Sequence, residues 1–427
     1  MPTIKERDRE VIWHPYTPMK AWPEAIAIVR GEGVYLIDED GNRYIDAMSS
    51  WWVNLHGHSH PYIAQKVSEQ LLVLEHCIFA GFTHEPAVRL AERLLEILPQ
   101  GMRKIFYSDN GSTAVEVAIK MSLQYWNNKG IKKKKLVALQ NAYHGDTFGA
   151  MAVSGRSIFT EAFSDQLFDV DFIPFPGEGA GEESIAALES LLQKGETAAF
   201  IAEPLVQGSA GMCMYNPEVL EQYFRLCKKY NTLIIADEVM TGFGRTGPLF
   251  ACDHIQTAPD MVCLSKGLTG GSMPLGITAC TQDIFDAFYD DDRTKMLYHG
   301  HSFTANPTIC AAALASLDLL LMDTCTENRA RIIKEHAAFA ESIRTNPSVA
   351  TIRQTGTIIA IELKTDTPSY HSSLRDVMYR FFLDKKILIR PLGNIIYLLP
   401  PYCITNEELN YIYDCIREFL IGKNPDL

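Results

Sequence analysis

The feature that most constrains this chain is a set of short, continuously apolar segments in its middle. They span 135–139, 198–202, 232–236 and 261–264. A strand with one solvated face alternates apolar and polar residues, whereas a strand covered on both faces is apolar throughout. Amphipathic patterns typical of helices lie between some of them, at 184–195 and 217–231. The alternation predicts an α/β fold with a mostly parallel sheet flanked by helices.

The two ends of the chain have a different pattern. Residues 28–48 contain two strand patterns separated by Asp40-Gly41-Asn42, a sequence typical of a hairpin turn. Residues 320–427 mix helix and strand patterns. We therefore predict that 1–55 and 320–427 form one smaller α+β domain and that 56–319 form the large domain.

Composition narrows the class of protein. The 427 residues are 47% hydrophobic and 21% charged, with a formal net charge of −13, which is typical of a soluble globular protein. The acidic balance argues against nucleic acid or an anionic membrane as a partner, and no run approaches the roughly 18–20 apolar residues of a membrane span. The ten cysteines include no CxxC pair, which predicts free thiols and a cytoplasmic location. The one basic run, 132–135, is predicted to be a solvated turn.

Polar residues follow each of the four apolar segments. Tyr143 lies just after the first, Glu203 after the second, Asp237 after the third and Lys266 after the fourth. Ligands of open parallel sheets bind beyond the carboxyl ends of the strands, so these side chains are expected at one edge. A lone lysine at a strand end is more often a surface residue, and a lone aspartate is as often a turn or cap. The presence of all four side chains at one edge of the sheet favours a site in which the lysine amine is reactive.

A candidate anion site precedes the segment 113–126. Gly111 allows close approach of the backbone, and Thr113 and Glu116 have the spacing of a capping box. The start of a helix offers amide donors and the positive end of its dipole to a phosphate. Many helices begin in this way without a ligand, so this signal is weak by itself.

Two histidine-rich turns support an alternative from another class, a metal-dependent hydrolase. The candidate ligands are His56, His58, His60, His299 and His301. No carboxylate stands beside them at ligand spacing, and glycine-rich turns often carry histidines for local hydrogen bonds. No metal site is therefore expected.

Longer segments of the chain resemble a known family. IIADEVMTGFGRTG (234–247) and LSKGLTGG (264–271) are similar to the signature of class III pyridoxal-phosphate aminotransferases, and SDNGSTAVEVAIK, NAYHGDTFGAM, EPLVQG and HGHSFTANP occur in the family's order. The resemblance implies a fold-type-I transferase that binds pyridoxal 5'-phosphate and forms a homodimer with active sites at the interface.

The resemblance also assigns roles in binding the cofactor. Lys266 would hold it covalently and move a proton during the reaction, Asp237 would keep its ring nitrogen protonated, and Tyr143 would stack on the ring. Gly111 and Ser112 would bind the phosphate. Ser302 of the partner subunit would assist them, at a position where the family often has threonine.

Further segments resemble one branch of the family, which aminates 8-amino-7-oxononanoate in biotin biosynthesis with S-adenosyl-L-methionine as amino donor. They are IWHPYTPMK (12–20), MSSWWVNLHGH (48–58), KMSLQYW (120–126) and IRPLGNIIYLLPPY (389–402). Lysine as the donor, another class III aminotransferase and an aminomutase are the alternatives.

This branch implies a set of substrate-binding residues. Tyr16, Trp51, Trp52 and Tyr397 would wall the substrate cleft, and Arg390 would pair with the substrate carboxylate. Aromatic side chains suit an apolar chain, and a planar guanidinium suits a carboxylate. For one of the two tryptophans, packing in the core is the expected role.

Overall fold

A seven-stranded sheet forms the centre of the protein. The computed structural model describes residues 2–20, 25–177, 179, 181–365 and 373–422. The order of strands across the sheet is Met102–Ser108, Gly276–Thr281, Met261–Leu264, Leu233–Asp237, Thr197–Ala202, Lys135–Leu139 and Asp171–Ile173. The last five strands run parallel to one another, and Gly276–Thr281 is antiparallel to both of its neighbours. This arrangement confirms the predicted α/β class.

Adjacent residues of a central strand contribute to two different hydrophobic clusters. In Leu233–Asp237, Leu233 and Ile235 belong to one cluster, whereas Ile234 and Ala236 belong to the other. Successive side chains of a strand point to opposite faces, so each cluster covers one face of the sheet. Burial of each leucine or isoleucine side chain contributes about 1.5–3 kcal/mol. The continuous apolar pattern in the sequence follows from this double coverage.

Helices supply the other half of each cluster. Gly111–Asn128 buries Ala114, Val115 and Ala118 against one face. Pro217–Lys229 buries residues such as Tyr223 against the other. The other long helices of the central region are Pro61–Leu71, Glu85–Ile97, Glu182–Leu192 and Pro307–Leu320.

Both ends of the described chain meet in a second sheet. Its strands lie in the order Ile28–Glu32, Tyr35–Asp38, Arg43–Asp46 and Ile387–Leu388. The predicted hairpin is confirmed, since Tyr35 pairs with Ile45 in antiparallel register. A three-stranded sheet follows near the C-terminus, formed by Val349–Thr355, Ile358–Leu363 and Ile395–Leu398. The domain boundaries at 55/56 and 319/320 stay a prediction.

The remaining elements are short segments and the helices outside the central region. The helices are Ile4–Val11, Ser49–Trp52, Phe148–Val153, Gln282–Asp286, Asp323–Ile343, Ser373–Asp384 and Asn406–Ile421. Short 3₁₀ helices occur at Glu161–Gln166, Ala251–His254, Lys266–Thr269 and Arg293–Lys295. Two short strands are Val206–Gln207 and Cys213–Met214. Of the helices described, none is long and apolar enough by itself to cross a bilayer, although the pair Pro307–Leu320 and Asp323–Ile343, bent by 68°, passes by length and composition together.

The predicted capping box was wrong by one turn. The helix begins at Gly111, and Asn110 is its N-cap; the Asn110 side chain accepts a hydrogen bond from the Thr113 amide at 2.9 Å. Glu116 instead accepts hydrogen bonds from the Thr147 hydroxyl and the Gly149 amide, at 2.5 and 2.7 Å. Asparagine is as good an N-cap as threonine, so spacing alone did not decide between them.

The predicted solvated turn at 132–135 was wrong for one residue. Lys133 is only 8% exposed. Its ammonium group donates to the backbone carbonyls of Tyr230 and Asn231 and lies 4.7 Å from the ring centre of Trp126. The carbonyls at the end of the helix Pro217–Lys229 supply the partners that make this burial possible.

Candidate active site

Four side chains that follow the central strands line one cavity of about 440 Å³. They are Tyr143, Glu203, Asp237 and Lys266, and the start of the helix at Gly111 lines the same cavity. The strands Leu233–Asp237 and Met261–Leu264 are adjacent and parallel, which places their carboxyl ends side by side. The structure thus brings together the residues that the sequence placed at one edge of the sheet.

Lys266 extends into this cavity from a strained position. Its φ is +47°, in the left-handed region that non-glycine residues rarely adopt, and strain of this kind clusters at functional sites. Its ammonium nitrogen lies 4.6 Å from the ring centre of Trp52. Burial lowers the pKa of the Lys266 amine to about 8, although the charges of Asp237 and Glu203 oppose the shift. A neutral, nucleophilic amine is therefore accessible near physiological pH.

Asp237 is held by a histidine that the sequence prediction left without a role. Its Oδ2 lies 2.6 Å from Nδ1 of His144, and both side chains are buried. Its Oδ1 accepts a hydrogen bond from the Val239 amide at 3.1 Å. Nε2 of His144 is buried and has no hydrogen-bond partner among the described residues. His144 follows Tyr143 directly, so its place at the same strand end was the available signal.

Glu203 connects two walls of the cavity. One carboxylate oxygen accepts a hydrogen bond from the Tyr143 amide at 2.9 Å, and the other accepts one from the Gly208 amide at 3.0 Å. Burial raises the pKa of Glu203 to about 7, and Asp237 adds to the shift while His144 opposes it. Two amides that converge on one carboxylate fix the position of the Tyr143 backbone.

The start of the helix Gly111–Asn128 has the shape of an anion cradle. A Cβ added to Gly111 would lie 2.7 Å from a methyl carbon of Val239, so a side chain at this position would require the helix start or Val239 to move. Likewise a Cβ on Gly145 would lie 2.1 Å from the Ser112 hydroxyl oxygen. That hydroxyl accepts a hydrogen bond from the Asp146 amide at 3.2 Å. These two glycines bring backbone and hydroxyl groups together at the positive end of a helix dipole.

A second cavity, of about 240 Å³, opens beside the first. Its walls are mostly aromatic, and it shares three residues with the first cavity. The lining residues are Tyr16, Trp51, Trp52, Tyr143, Phe159, Ser209, Lys266 and Leu392. Phe159 and Ser209 were not predicted, because single aromatic and serine residues in loops carry no distinctive pattern.

The wall of this cavity depends on contacts between its aromatic residues. The ring of Tyr16 lies 5.4 Å from that of Trp51 and 5.8 Å from that of Phe159. The hydroxyl of Tyr16 donates to the carboxylate of Asp146. Burial raises the pKa of Tyr143, and its hydrogen bond with Tyr16 adds to this effect.

Arg390 lies at the rim of the aromatic wall. Its guanidinium carbon is 4.9 Å from the ring centre of Trp51, and its Nη2 donates to the backbone carbonyl of Tyr16 at 3.1 Å. Within the described part of the chain, no carboxylate lies within 4.0 Å of this guanidinium. The position leaves Arg390 able to receive an anion.

Arg390, Tyr397 and Ser302 are predicted site residues that line neither cavity. Tyr397 is buried behind Trp52, and its hydroxyl accepts a hydrogen bond from the Trp52 indole at 3.0 Å. It therefore supports the cavity wall instead of forming its surface. Ser302 is exposed, and its backbone carbonyl accepts a hydrogen bond from His76 at 2.6 Å.

The histidine-rich turns are divided among separate contacts. His58 pairs with Asp46 at 2.9 Å, and His56 lies 3.1 Å from the Ser316 hydroxyl with its pKa lowered to about 3 by burial. His299 faces Lys120. In the ranges that the structure describes, no three His, Cys, Asp or Glu side chains are grouped so that they could hold a metal ion.

The chain belongs to the class III aminotransferases, whose family model, Aminotransferase class-III, matches residues 16–420. It is 47% identical to the adenosylmethionine-8-amino-7-oxononanoate aminotransferase of Synechococcus elongatus, over 96% of this chain and 98% of that protein. The crystal structure of the enzyme of that name from Methanocaldococcus jannaschii superposes with a TM-score of 0.93 at 37% identity, covering 98% of each chain. An omega transaminase from Pseudomonas jessenii in complex with PMP gives a TM-score of 0.92 at 27% identity, over 99% of this chain and 98% of that one.

The protein is therefore a pyridoxal-phosphate-dependent aminotransferase of fold type I. The cavity fits this cofactor. The amine of Lys266 suits its aldehyde, the buried carboxylate of Asp237 suits its ring nitrogen, and the helix start at Gly111 suits its phosphate. The family assignment rejects the metal-hydrolase alternative.

Proposed function

We propose that this protein transfers an amino group to 8-amino-7-oxononanoate, with S-adenosyl-L-methionine as the donor, as a step of biotin biosynthesis. The observation that carries the proposal is the aromatic cavity that Lys266 and Trp51 both line, together with Arg390, whose guanidinium carbon lies 4.9 Å from the ring centre of Trp51. Its shape and chemistry suit a long apolar chain that ends in a carboxylate. Relatives called adenosylmethionine-8-amino-7-oxononanoate aminotransferase, which match nearly the whole chain at 37–47% identity, support this choice of substrates.

Three side chains of the first cavity hold the cofactor in this proposal. Lys266 would bind it covalently, Asp237 would interact with its ring nitrogen, and Tyr143 would stack on its ring; all three line the cavity. When bound, pyridoxal phosphate supplies an electron sink that makes the proton on the amine-bearing carbon acidic. The His144 contact at 2.6 Å fixes the Asp237 carboxylate, so that its charge stays directed at the cavity.

The proton transfer belongs to Lys266. Once the amine of the substrate has displaced Lys266 from the cofactor, the free Lys266 amine, whose pKa burial lowers to about 8, would be partly neutral at neutral pH and could accept a proton as a general base. The same group, once protonated, could give the proton from the substrate carbon to a carbon of the cofactor. Trp52, 4.6 Å from the ammonium nitrogen, excludes water from that side.

The phosphate of the cofactor is assigned to the helix start at Gly111 and Ser112. In the proposed homodimer, Ser302 of the partner subunit completes this site. The exposure of Ser302 in the single chain supports that arrangement, as do nearby exposed apolar side chains such as Phe82 and Phe303. A molar mass of twice the chain mass in light scattering is the expected result.

Arg390 provides the test of the substrate assignment. We expect Arg390→Ala to remove a charge-assisted, partly desolvated contact worth roughly 2–4 kcal/mol, which lowers kcat/KM for 8-amino-7-oxononanoate on the order of 30- to 1000-fold. The absorption of the bound cofactor should not change, because Lys266 and Asp237 are untouched. Single-turnover kinetics of the donor and acceptor half-reactions separate the two substrates.

The control for Arg390 is an arginine of the surface. Arg344 pairs only with Glu341 on an exposed helix face in the described contacts, so Arg344→Ala should retain parental kinetics. If Arg390→Ala keeps acceptor kcat/KM within about threefold of the parent, a difference under 1 kcal/mol, the carboxylate is bound elsewhere.

Half-reactions also decide among the remaining alternatives. An aminotransferase converts its cofactor to the amine form with donor alone and back with acceptor alone. S-Adenosyl-L-methionine should produce the first change and lysine should not. Conversion by lysine alone would assign the donor to lysine, and no conversion by any amine would favour an aminomutase.

A further inference from the structure

The turn that carries both tryptophans of the cavity wall has an uncommon backbone. Ser49, Ser50, Trp51 and Trp52 have φ values of +55°, +47°, +80° and +72°. The chain makes one left-handed turn in which no residue is glycine. For L-residues this conformation costs roughly 1–2 kcal/mol per residue, so the surrounding structure must hold it.

The consequence of the turn is the placement of two adjacent indoles. In an extended strand, neighbouring side chains point to opposite faces, and only one tryptophan could reach the cavity. Here both line it. Trp51 meets Tyr16 and Arg390, whereas Trp52 lies beneath Lys266. The turn therefore sets the width of the aromatic wall.

The carboxylate of Asp46 is a polar anchor of this turn, as is the Leu399 carbonyl, which accepts a hydrogen bond from the Ser49 hydroxyl at 2.6 Å. The Asp46 carboxylate is fully buried and accepts three hydrogen bonds: from the Ser50 hydroxyl at 2.8 Å, from the Met48 amide at 3.3 Å and from His58 Nε2 at 2.9 Å. The hydroxyl belongs to the turn itself, and the amide belongs to the residue before it. Hydrogen bonds to a buried charged acceptor are roughly twice as strong as neutral ones.

Trp52 has little room to move if the turn relaxes. A Cβ on Gly208 would lie 3.0 Å from the Trp52 ring, so the indole already rests on that backbone. On the other side, its nitrogen donates to the Tyr397 hydroxyl. A relaxed turn would shift Trp51 first, since the ring contacts that the described residues make with it, those of Tyr16 and Arg390, lie at the exposed rim.

We propose that Asp46, acting through Ser50, is a positioning residue for the substrate: it holds the left-handed turn that sets the distance of Trp51 from Arg390. The proposal rests on the proposed function only in naming the substrate that the wall receives. Neither Asp46 nor Ser50 lines either cavity.

Ser50→Ala tests this role with the smallest change, because it removes one hydroxyl and leaves the buried carboxylate. We expect KM for 8-amino-7-oxononanoate to rise about 10-fold, with kcat within about threefold and an unchanged cofactor spectrum. Asparagine tolerates the left-handed region and carries a donor amide, so Ser50→Asn should recover at least half of the lost affinity. Ser342→Ala removes a hydroxyl that donates to a helix carbonyl and is the control, with parental kinetics.

Hydrogen exchange gives a readout that needs no substrate. The amides of Trp52 and Val53 donate to the carbonyls of Met48 and Ser49 across the turn, both at 2.9 Å. Exchange in residues 48–54 should become faster in Ser50→Ala and remain unchanged in Ser342→Ala. If the parent enzyme does not aminate 8-amino-7-oxononanoate, the proposed function fails, but faster exchange still supports the anchor. Unchanged exchange, or acceptor KM within twofold of the parent, overturns it.

Discussion

At the scale of single residues, burial determines the reactivity of the Lys266 amine. Its pKa of about 8 means that the neutral fraction rises through pH 8 and then levels. The rate at which apoenzyme captures pyridoxal phosphate should therefore increase roughly 30-fold between pH 6.5 and 9 and flatten above pH 9. Stopped-flow absorbance of cofactor capture measures this profile.

A free amine provides the comparison for this profile. Nα-acetyl-lysine has an unburied ammonium group with a pKa near 10.4, so its rate should continue to rise above pH 9, by about sevenfold between pH 9 and pH 10. Parallel profiles for the enzyme and the model compound would mean that burial does not lower the pKa of Lys266. Lys266→Ala should form no covalent adduct at any pH.

The buried Lys133 has a structural role, in contrast to the reactive Lys266. Its ammonium group satisfies two carbonyls at the end of the helix Pro217–Lys229, and Lys133→Met leaves both without this partner. We expect the variant to lose about 1.5–3 kcal/mol of unfolding free energy, measured by urea denaturation. Lys134→Met, at an exposed neighbouring position, should change stability by less than about 0.5 kcal/mol. Equal stability of the two variants would show that the buried contacts contribute nothing.

Lys266 and Lys133 show which features of a residue can be predicted from the local sequence and which cannot. Lys266 was predicted because it ends a continuously apolar strand beside other strand ends, a rule that depends on topology. The burial of Lys133 was missed because its partners, Tyr230 and Asn231, lie about a hundred positions later in the chain. The contact between His144 and Asp237 was missed for the same reason. Local sequence shows the side chain but not its partner.

At the scale of elements, the helix Gly111–Asn128 depends on the absence of a side chain at its first residue. Gly111→Ala places a Cβ 2.7 Å from Val239, so either the helix start or Val239 must move. We expect cofactor affinity to fall about 10- to 100-fold because the phosphate cradle shifts. Equilibrium dialysis of apoenzyme against pyridoxal phosphate measures the loss.

The same substitution elsewhere is the matched control. A Cβ on Gly422 would meet nothing closer than 3.8 Å, at the end of the last helix. Gly422→Ala should therefore retain parental cofactor affinity. Equal affinity of both alanine variants would exclude a steric role for Gly111.

Four strands of the central sheet were predicted to within one residue because double burial leaves a continuous apolar pattern, whereas Met102–Ser108, Asp171–Ile173 and Gly276–Thr281 were not predicted. The observed bounds Lys135–Leu139 and Met261–Leu264 match the sequence prediction. In contrast, the left-handed turn at Ser49–Trp52 has no local signal, since such turns usually contain glycine or asparagine. Asp46 and other tertiary contacts impose it. Elements held by tertiary contacts are therefore the ones that local patterns miss.

At the scale of the whole molecule, buried histidines connect distant segments. His336, on the helix Asp323–Ile343, lies 2.7 Å from the Tyr413 hydroxyl of the last helix and 3.2 Å from the Thr357 carbonyl. Burial lowers its pKa to about 3. The folded protein thus keeps this imidazole neutral where an unfolded chain would protonate it.

This histidine should make folding sensitive to acid. Between its unfolded pKa near 6.5 and its folded pKa near 3, the unfolded state binds one more proton, so its contribution to stability falls by up to about 1.4 kcal/mol per unit as pH decreases. Burial raises the pKa of Glu203 and Glu238 to about 7 and about 6, which acts in the opposite direction. A comparison of variants is therefore needed to separate the contribution of His336 to the pH dependence of stability from those of Glu203 and Glu238.

We therefore expect His336→Gln to be less stable than the parent at pH 7 and to approach it as pH falls, because the variant has no imidazole to protonate on unfolding. Urea denaturation at pH 7, 6 and 5 should show the difference shrinking by about 1–2 kcal/mol over this range. Tyr413→Phe removes the hydrogen-bond partner but keeps the imidazole, so its difference from the parent should stay nearly constant with pH. A constant difference for His336→Gln would mean that the folded protein protonates His336 as readily as the unfolded chain does.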